Sequence, residues 1–275
     1  MKRKIRTGRS RVTSSERVIA LLTDFGDHDH YVGVVKGVIL SINPGAQIVH
    51  LSNNVMPQNI REAGYLLWAS YRFFPERALF VCIVDPGVGS DRRIVCLETK
   101  RHTFLAPDNG LLDFIRLEEK ILRSYEIERP PIFGMSPISS TFHGRDIFAP
   151  LAGQLSLGKS VKVYGRQCTL DPPAPVFYES DGNGAAACIL HIDTFGNVIT
   201  NVPAKYFDEM MLRIGSVEVR NHIRNFSEGP QQEPCLIVGS SNLVEVVLKN
   251  GNAAKYLGAQ GGTPIRVRLG GETLV

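Results

Sequence analysis

Residues 79–92 of the chain, LFVCIVDPGVGSDR, combine a strand signal with a group of polar side chains. The first six residues are apolar and mostly β-branched or aromatic, a pattern typical of a buried strand. Asp85 follows at once, and Pro86-Gly87 then begins a turn. Ligands of α/β proteins bind where such strands end, at the carboxyl edge of the sheet. The segment therefore predicts an α/β fold with a site at Asp85.

Strand-like and helix-like segments alternate from residue 18 to residue 168. Short apolar runs predict strands at 18–22, 47–51, 79–84, 93–99 and 101–106. Helical spacing of apolar residues predicts helices at 31–42, 60–74, 111–122 and 145–155. Strands that alternate with helices indicate an α/β domain with a mainly parallel sheet. We therefore assign residues 18–168 to an N-terminal α/β domain.

The pattern changes after a segment that is rich in helix and strand breakers. DPPAP (171–175) and DGNG (181–184) place a linker at residues 169–184. Short β-type runs separated by turn residues follow it, at 186–192, 198–202, 214–219, 236–238, 243–248 and 265–269. They predict a smaller all-β domain over residues 185–275, in the form of a small barrel or a sandwich.

Basic residues are concentrated at the N-terminus. Residues 1–17 contain seven Lys and Arg against Glu16 alone, so this segment carries +6 while the whole chain carries +4. The remainder is therefore slightly acidic, at −2, and lacks the electrostatic footprint of a nucleic-acid-binding protein. We expect a basic disordered tail, although organellar transit peptides have a similar composition.

The rest of the composition indicates a cytoplasmic protein. No apolar run is long enough to span a membrane. The five cysteines are scattered and form no CxxC pair: Cys82, Cys96, Cys168, Cys188 and Cys235. Scattered cysteines in apolar runs predict buried free thiols in a reducing compartment.

A carboxylate, a guanidinium and an imidazole are candidates for one site. Asp85 and Arg92 lie seven residues apart, and His143 lies in a second polar segment, TFHGR (141–145). If the two segments converge, this set can hold and polarise a water molecule. From these residues alone, the simpler interpretation is a turn at Asp85 and a surface ion pair between Asp91 and Arg92.

Six sequence blocks resemble a known family. They are LTDFG (22–26), DHYVG (29–33), VDPGVGSDR (84–92), APDNGLL (106–112), TFHGRD (141–146) and IDTFGN (192–197). In this order they resemble the S-adenosyl-L-methionine (SAM) hydroxide adenosyltransferases, or SAM hydrolases, whose halogenating relatives include the fluorinase. The resemblance implies an N-terminal α/β domain, a smaller C-terminal β domain and a homotrimer. Each active site would lie between one subunit's N-terminal domain and a neighbour's C-terminal domain.

The resemblance also implies a reaction, the hydrolysis of SAM to adenosine and L-methionine by in-line attack of water or hydroxide on ribose C5′. Asp85, Arg92 and His143 match the Asp–Arg–His set of the hydrolase branch, which the halogenating relatives lack. Two alternatives stay open: a SAM-dependent halogenase of the same fold, and a non-catalytic sensor of SAM or adenosine. No cofactor is implied, since SAM is the substrate. No metal is expected, because the adjacent residues DHDH (27–30) make a poor metal site without distant ligands.

Two further candidates lie in the N-terminal half. Asp24 ends the first predicted strand, where a carboxylate can accept both ribose hydroxyls; a helix N-cap is the alternative role. Phe142 would form part of a dry wall around the reacting atoms, or else be a core aromatic.

The resemblance assigns the remaining binding residues to the β half. Asp193 would bind the amino group of the methionine part, Phe195 would pack on the adenine, and Asn197 would bond the adenine edge. The structural alternatives are a buried aromatic for Phe195 and a hairpin turn for Gly196-Asn197. Ser241 lies in GSSN (239–242), which aligns with a segment that receives the methionine carboxylate. The fluorinase has Arg after this serine, whereas this chain has Asn, so hydroxyls and backbone N–H groups would bind the carboxylate.

Overall fold

The computed structural model describes residues 17–131 and 137–270 of the chain. The basic tail predicted for residues 1–17 lies outside these ranges apart from Arg17. Seven strands form the first sheet: β1 Val18–Thr23, β2 Gln47–Ser52, β3 Leu79–Ile83, β4 Ile94–Glu98, β5 Thr103–Pro107, β6 Arg123–Ile127 and β7 Gly165–Gln167. Their order is β2-β1-β3-β5-β4-β6-β7. In this order, β2, β1, β3 and β5 pair in parallel. The pairs β5-β4, β4-β6 and β6-β7 are antiparallel.

Helices cover both faces of this sheet. They are α1 Tyr31–Ile42, α2 Ile60–Ser70, α3 Asp113–Glu118 and α4 Ala149–Ser156. Successive residues of β3 enter two different cores: Phe80 packs with α2 and α3, and Val81 packs with α1 and α4. Every residue of β3 is therefore buried, which explains its continuous apolar run, since parallel strands are covered on both faces.

Two sheets form the second half. Its strands are β8 Ile189–Ile192, β9 Val198–Pro203, β10 Met210–Ile214, β11 Val217–Val219, β12 Asn221–His222, β13 Pro234–Val238, β14 Leu243–Leu248 and β15 Arg266–Leu269. One sheet has the order β12-β13-β14-β9-β8 and the other β11-β10-β15. Leu212 of the smaller sheet and Val244 of the larger one belong to the same hydrophobic core. The predicted fold class, α/β followed by β, is confirmed.

Two element predictions need correction. The helix predicted at 111–122 is reduced to α3, and the chain then enters β6, a strand absent from the sequence prediction. The alternation expected of a strand is weak in β6, which is largely half-exposed near the sheet edge. The run predicted as one strand at 214–219 contains only the last residue of β10, a turn and β11, because Gly215 adopts a left-handed φ of 59° and turns the chain back. A short helix, α5 Ala253–Leu257, interrupts the β half.

Side chains of the two halves interact directly. Glu62 of α2, buried in the structure, lies with Oε1 2.6 Å from Nδ1 of His191 in β8. Tyr65, one turn further along α2, lies with its hydroxyl 3.4 Å from Oγ of Ser241. Within the described ranges, no helix is both long and apolar enough to cross a membrane. All five cysteines are free thiols.

Candidate active site

A cavity of about 250 Å³ lies at the carboxyl edge of the first sheet. Asp24 follows β1 directly and Asp85 follows β3 by two residues; because these strands are parallel neighbours, both carboxylates reach the same edge. Phe142 and His143 line the cavity from a separate loop. The structure thus brings the N-terminal candidates together around one space.

Arg92 pairs with Asp85, and not with its neighbour Asp91. Its Nε lies 3.0 and 2.9 Å from the two carboxylate oxygens of Asp85, and Nη2 also donates to Oδ2. The two side chains are 13% and 6% exposed. A charge-assisted, two-pronged bond with this little solvent holds both groups in one orientation. The surface ion pair considered for Arg92 is therefore replaced by a pair with Asp85, whose side chain lines the cavity.

The same guanidinium contacts His143. Arg92 Nη2 lies 2.7 Å from His143 Nδ1. An arginine N–H can only donate, so Nδ1 must be the acceptor, and the neutral ring then carries its proton on Nε2. Burial lowers the pKa of His143, and the positive charge of Arg92 lowers it further. His143 is consequently a neutral imidazole that presents an N–H donor.

A close backbone contact at Gly89 joins the two loops. Gly89 has a φ of +80°, and a Cβ there would lie 2.1 Å from the carbonyl oxygen of Ser140. Only glycine permits this approach. The GVG sequence of residues 87–89 therefore allows the Asp85 loop to pack against the segment that carries His143.

Asp24 is held by a loop that sequence patterns did not single out. Its Oδ2 accepts a hydrogen bond from the backbone N–H of Gln58, at 2.8 Å. Gln58 has a φ of 64°, a left-handed conformation uncommon for a residue with a side chain. The N-cap of α1 is His30, so the structure does not give Asp24 the helix-capping role. Its second carboxylate oxygen makes no hydrogen bond within the described ranges.

Aromatic rings form the wall beside His143. The Phe142 ring lies 5.1 Å from that of Tyr31 and 6.0 Å from that of Phe25, both edge-on. The Arg145 guanidinium lies 5.4 Å from the Phe142 centroid. Phe142 both packs against the core and lines the cavity, so its two proposed roles are compatible.

A second cavity, of about 870 Å³, lies in the β half. Asp193, Phe195 and Asn197 line it, and the Phe195 ring is 78% exposed. Phe226 lines the same cavity and is 53% exposed. Neither ring is a buried core aromatic, and two exposed rings around an open cavity suit a planar apolar ligand.

The loop between β8 and β9 is closed by its own aspartate. Asp193 Oδ1 accepts the backbone N–H groups of Phe195 and Asn197, at 2.9 and 2.8 Å. Asp193 Oδ2 accepts Nδ2 of Asn197, at 2.9 Å. These bonds explain the order D-T-F-G-N as a turn that an aspartate side chain stabilises. The backbone carbonyl of Asn197 accepts the Asp193 N–H at 3.1 Å, which leaves the side-chain oxygen Oδ1 of Asn197 without a bond to this loop.

The GSSN segment divides between two environments. Gly239 and Ser240 line the second cavity, whereas Ser241 has Tyr65 as its side-chain partner. The two cavities have no lining residue in common. Within one chain the structure therefore separates the candidates Asp24, Phe142, Asp85, Arg92 and His143 from Asp193, Phe195 and Asn197.

The DHDH segment provides hydrogen bonds and no metal site. Asp27 accepts side-chain amide N–H groups of Asn53 and Asn54, at 2.8 and 2.7 Å. Across residues 17–131 and 137–270, no group of three or more His, Cys, Asp or Glu side chains is arranged to hold a metal ion.

Family models match both halves of the chain. The SAM hydroxide adenosyltransferase N-terminal domain matches residues 19–165, and the C-terminal domain of the same family matches residues 187–266. The chain belongs to the SAM hydroxide adenosyltransferase family. This confirms the family that the six sequence blocks indicated.

Individual members of the SAM hydroxide adenosyltransferase family and their relatives match most of the chain. An (R)-S-adenosyl-L-methionine hydrolase from Thermus thermophilus is 36% identical over 91% of this chain and 99% of its own. A fluorinase from an Actinoplanes species is 27% identical over 67% of this chain and 71% of its own. The solved structure of an uncharacterized conserved protein from Thermotoga maritima is 32% identical, with a TM-score of 0.81 over 91% of this chain and all of that one.

Several lining residues of these cavities were not predicted as site residues from the sequence, among them Gln58, Phe226 and Glu245. Gln58 contributes a backbone N–H, which no side-chain pattern reveals. Phe226 follows Asn225 in a polar loop, where a lone aromatic is a weak signal. Glu245 interrupts the apolar run of β14, and alternation would place it on a solvent-exposed face. In the structure it is half-buried and lines the second cavity.

Proposed function

We propose that this chain hydrolyses S-adenosyl-L-methionine to adenosine and L-methionine. Relatives at 36% and 32% identity, from Thermus thermophilus and Methanocaldococcus jannaschii, are named (R)-S-adenosyl-L-methionine hydrolases. The observation that carries the proposal is the contact of Arg92 with both Asp85 and His143 at the cavity beside Asp24.

The main requirement of the reaction is that the protein positions the water molecule that acts as the nucleophile. The sulfonium makes ribose C5′ electrophilic; a C5′–O bond forms as the C5′–S bond breaks, and the bonding pair leaves with sulfur. Methionine departs as a neutral thioether, so no general acid is required. The chemistry therefore calls for no metal and no cofactor. Holding the water behind C5′ supplies proximity, and the aromatic wall keeps the space dry.

Asp85, Arg92 and His143 have different roles in positioning and deprotonating the water. His143 presents Nε2–H as a donor to the water oxygen, since its Nδ1 is occupied by Arg92. Asp85 keeps lone pairs beyond those used by Arg92. Asp85 is thus the member of the set that accepts a hydrogen bond from the water and receives its proton as the oxygen bonds to C5′. Asp24 holds the ribose hydroxyls through its free oxygen.

A site shared between two subunits would bring together the two cavities that are separate within one chain. The first cavity, at about 250 Å³, falls below the roughly 300–1,000 Å³ of ordinary small-molecule sites, and it contains no adenine-binding or methionine-binding candidate. We infer a homotrimer in which the first cavity of one subunit faces the second cavity of its neighbour. Such a ring has ordinary closed symmetry. Its partners would be small molecules, with no nucleic acid or membrane.

A cytoplasmic location is part of the same proposal. All five cysteines are free, and burial raises the pKa of the Cys82 and Cys96 thiols. Unpaired, protonated thiols suit a reducing compartment.

Incubation of the purified protein with SAM in oxygen-18 water tests the reaction. We expect adenosine that carries the label at its 5′-hydroxyl, together with L-methionine, without added metal. Parallel reactions with the two sulfonium epimers test whether the chain acts on the (R) form. Excess halide should yield no halogenated nucleoside, because the Asp85 carboxylate repels an anion. Release of S-adenosylhomocysteine or methylthioadenosine alone would refute the proposal, and tight binding without turnover would indicate a sensor.

A further inference from the structure

The loop between β3 and β4, residues 84–93, carries two of the three polar residues of the proposed reaction. Asp85 is its second residue and Arg92 is its last but one. The positions of these two side chains therefore depend on how the two ends of the loop are held. Both ends bond to the same turn, Asp108-Asn109, which directly follows β5.

Asn109 holds the first residue of the loop. Its Nδ2 donates to the backbone carbonyl of Val84, at 3.0 Å. The backbone pairing of β3 with β5 runs only to Val81 and Leu105, and Pro107 has no N–H with which to continue it. The Asn109 side chain therefore joins the two strands where their backbone pairing has ended. Because Val84 is fully buried, its carbonyl needs such a donor.

The turn itself is fixed at both of its residues. Asn109 Oδ1 accepts the backbone N–H of Leu111, at 3.2 Å, a hydrogen bond typical of asparagine in turns. Asp108 holds the last residue of the loop: its carboxylate binds the guanidinium of Arg93, and its N–H donates to the Arg93 carbonyl at 3.0 Å. One half of the Asn109 amide thus forms the turn, and the other half reaches the residue before Asp85.

We propose that Asn109 is a positioning residue for the reaction and acts through Asp85. The Val84 carbonyl belongs to the planar peptide group that leads into Asp85, so the bond to Asn109 fixes the direction from which this carboxylate meets Arg92 and the water. Without the bond, a buried carbonyl loses a donor, and we expect the chain at Val84 and Asp85 to shift toward another. The inference rests on the proposed function for the reaction that Asn109 serves.

Two substitutions at Asn109 separate its two bonds. Asn109→Ala removes both. Asn109→Asp keeps an oxygen for the Leu111 N–H, and aspartate favours turns as asparagine does, but it has no donor for the Val84 carbonyl. If Asn109 only forms a turn, Asn109→Asp should have full activity. If Asn109 positions Asp85, both variants should lose kcat by roughly 10- to 100-fold, with KM within about twofold of the wild type.

Asn43→Ala is the matched control. Asn43 lies between α1 and β2, at the opposite edge of the sheet. Its bonds have the same pattern: Oδ1 accepts the Gly45 N–H at 3.2 Å, and Nδ2 donates to Ser156 Oγ at 2.9 Å. Asn43→Ala should lower the urea midpoint of unfolding, as Asn109→Ala should, but leave kcat unchanged.

A double variant tests whether Asn109 acts through Asp85. In Asp85→Asn protein, the group that Asn109 positions is already lost. Adding Asn109→Ala should therefore cost little further kcat, as measured in single-turnover reactions with excess protein. A loss as large as the one that Asn109→Ala causes in the wild type would show that Asn109 acts independently of Asp85, against the proposal.

The titration of His143, followed by NMR in the ligand-free protein, tests the contact without activity. Burial lowers the pKa of His143 most, and Arg92 lowers it by more than Asp85 raises it. A shift of this pair away from the imidazole should therefore move the titration to higher pH. We expect that move in Asn109→Ala and not in Asn43→Ala.

The outcomes separate the positioning role from the proposed function. Unchanged kcat in Asn109→Ala, full kcat in Asn109→Asp, or an equal loss of kcat in Asn43→Ala would overturn the positioning role and leave SAM hydrolysis by the wild type standing. If the wild type does not hydrolyse SAM, the proposed function fails and the His143 titration alone decides: an unchanged midpoint in Asn109→Ala refutes the positioning role. If Asn109→Ala does not fold, Asn109→Asp keeps the turn and replaces it in both measurements.

Discussion

Arg92 and His143 are hydrogen-bonded, with 2.7 Å between Nη2 and Nδ1, although 50 residues separate them in the chain. The same guanidinium binds Asp85 through Nε. Because Arg92 is always charged, the contact favours the neutral imidazole and orients its Nε2–H. Arg92 thus adds to the effect of burial in keeping His143 neutral, and it also fixes the position of Asp85.

The Asp85–Arg92–His143 set should be needed for turnover. Asp85→Ala, Arg92→Ala and His143→Ala are each expected to lower kcat by ~10²–10⁴-fold, the range for a positioned acid–base group, with little change in KM. Asp24→Ala is the contrasting variant: it should mainly raise KM, because it removes ribose binding. Steady-state kinetics on all four proteins would reject this division if Asp24→Ala lost kcat and the other three lost binding.

The pH dependence of enzyme activity should report the protonation of His143. Its folded pKa lies below the ordinary value of 6.5, so the neutral form that the reaction needs persists as the pH falls through 6.5 and is lost only at lower pH. The acid limb of kcat/KM should therefore have its midpoint below about 6.5. Arg92→Gln removes the repelling charge and should move the His143 titration to higher pH, as followed by NMR. An imidazole that titrates above 6.5 in the wild type would contradict this.

A second histidine should make the fold acid-sensitive. His102 is 2% exposed among Tyr71, Phe80 and Phe104, and neither ring nitrogen has a hydrogen-bond partner in the described structure. Burial lowers the pKa of His102. Below about pH 6.5 the unfolded chain binds a proton at His102 that the folded protein does not bind. The contribution of the neutral His102 to the free energy of unfolding is therefore fully present above that pH. It falls as the pH is lowered, by at most ~1.4 kcal/mol per pH unit.

Urea unfolding at pH 7 and pH 5 checks the effect of His102. His102→Phe keeps an aromatic ring in the cluster and should lose less stability between the two pH values than the wild type does. His28→Gln, at an exposed histidine, should behave like the wild type. An identical pH dependence in all three proteins would show that His102 does not titrate on unfolding.

Mixed subunits test the shared site. Asp85→Ala removes the residue that receives the proton of the water in the first cavity, and Asp193→Ala opens the loop that lines the second. Each protein alone should be inactive. After the two are unfolded and reassembled at equal amounts, about a quarter of the sites should combine two intact halves, if subunits mix at random in a closed ring. Wild-type protein that is fully active as a monomer by light scattering would exclude shared sites.

Local sequence predicted the elements whose signals lie within one segment. The run of β3 and the turn after it located Asp85, since a buried strand and a glycine turn are properties of neighbouring residues. The weak alternation of β6 and the three-residue length of β7 concealed both strands, because these strands gain their stability from pairing within the sheet. The same limit concealed Glu245, whose position in β14 looked solvent-facing.

Sequence by itself determined the family, the fold class and the polar groups at the strand ends, because motif spacing and apolar periodicity are written along the chain. Tertiary structure alone decided that Arg92 binds Asp85 and His143 instead of solvent, that Asp193 closes its own loop, and that Asn109 holds the Val84 carbonyl. The contact of Arg92 with His143 joins segments distant in the chain, as does the approach of Gly89 to Ser140. Their burial and charge arise only when the loops are brought together.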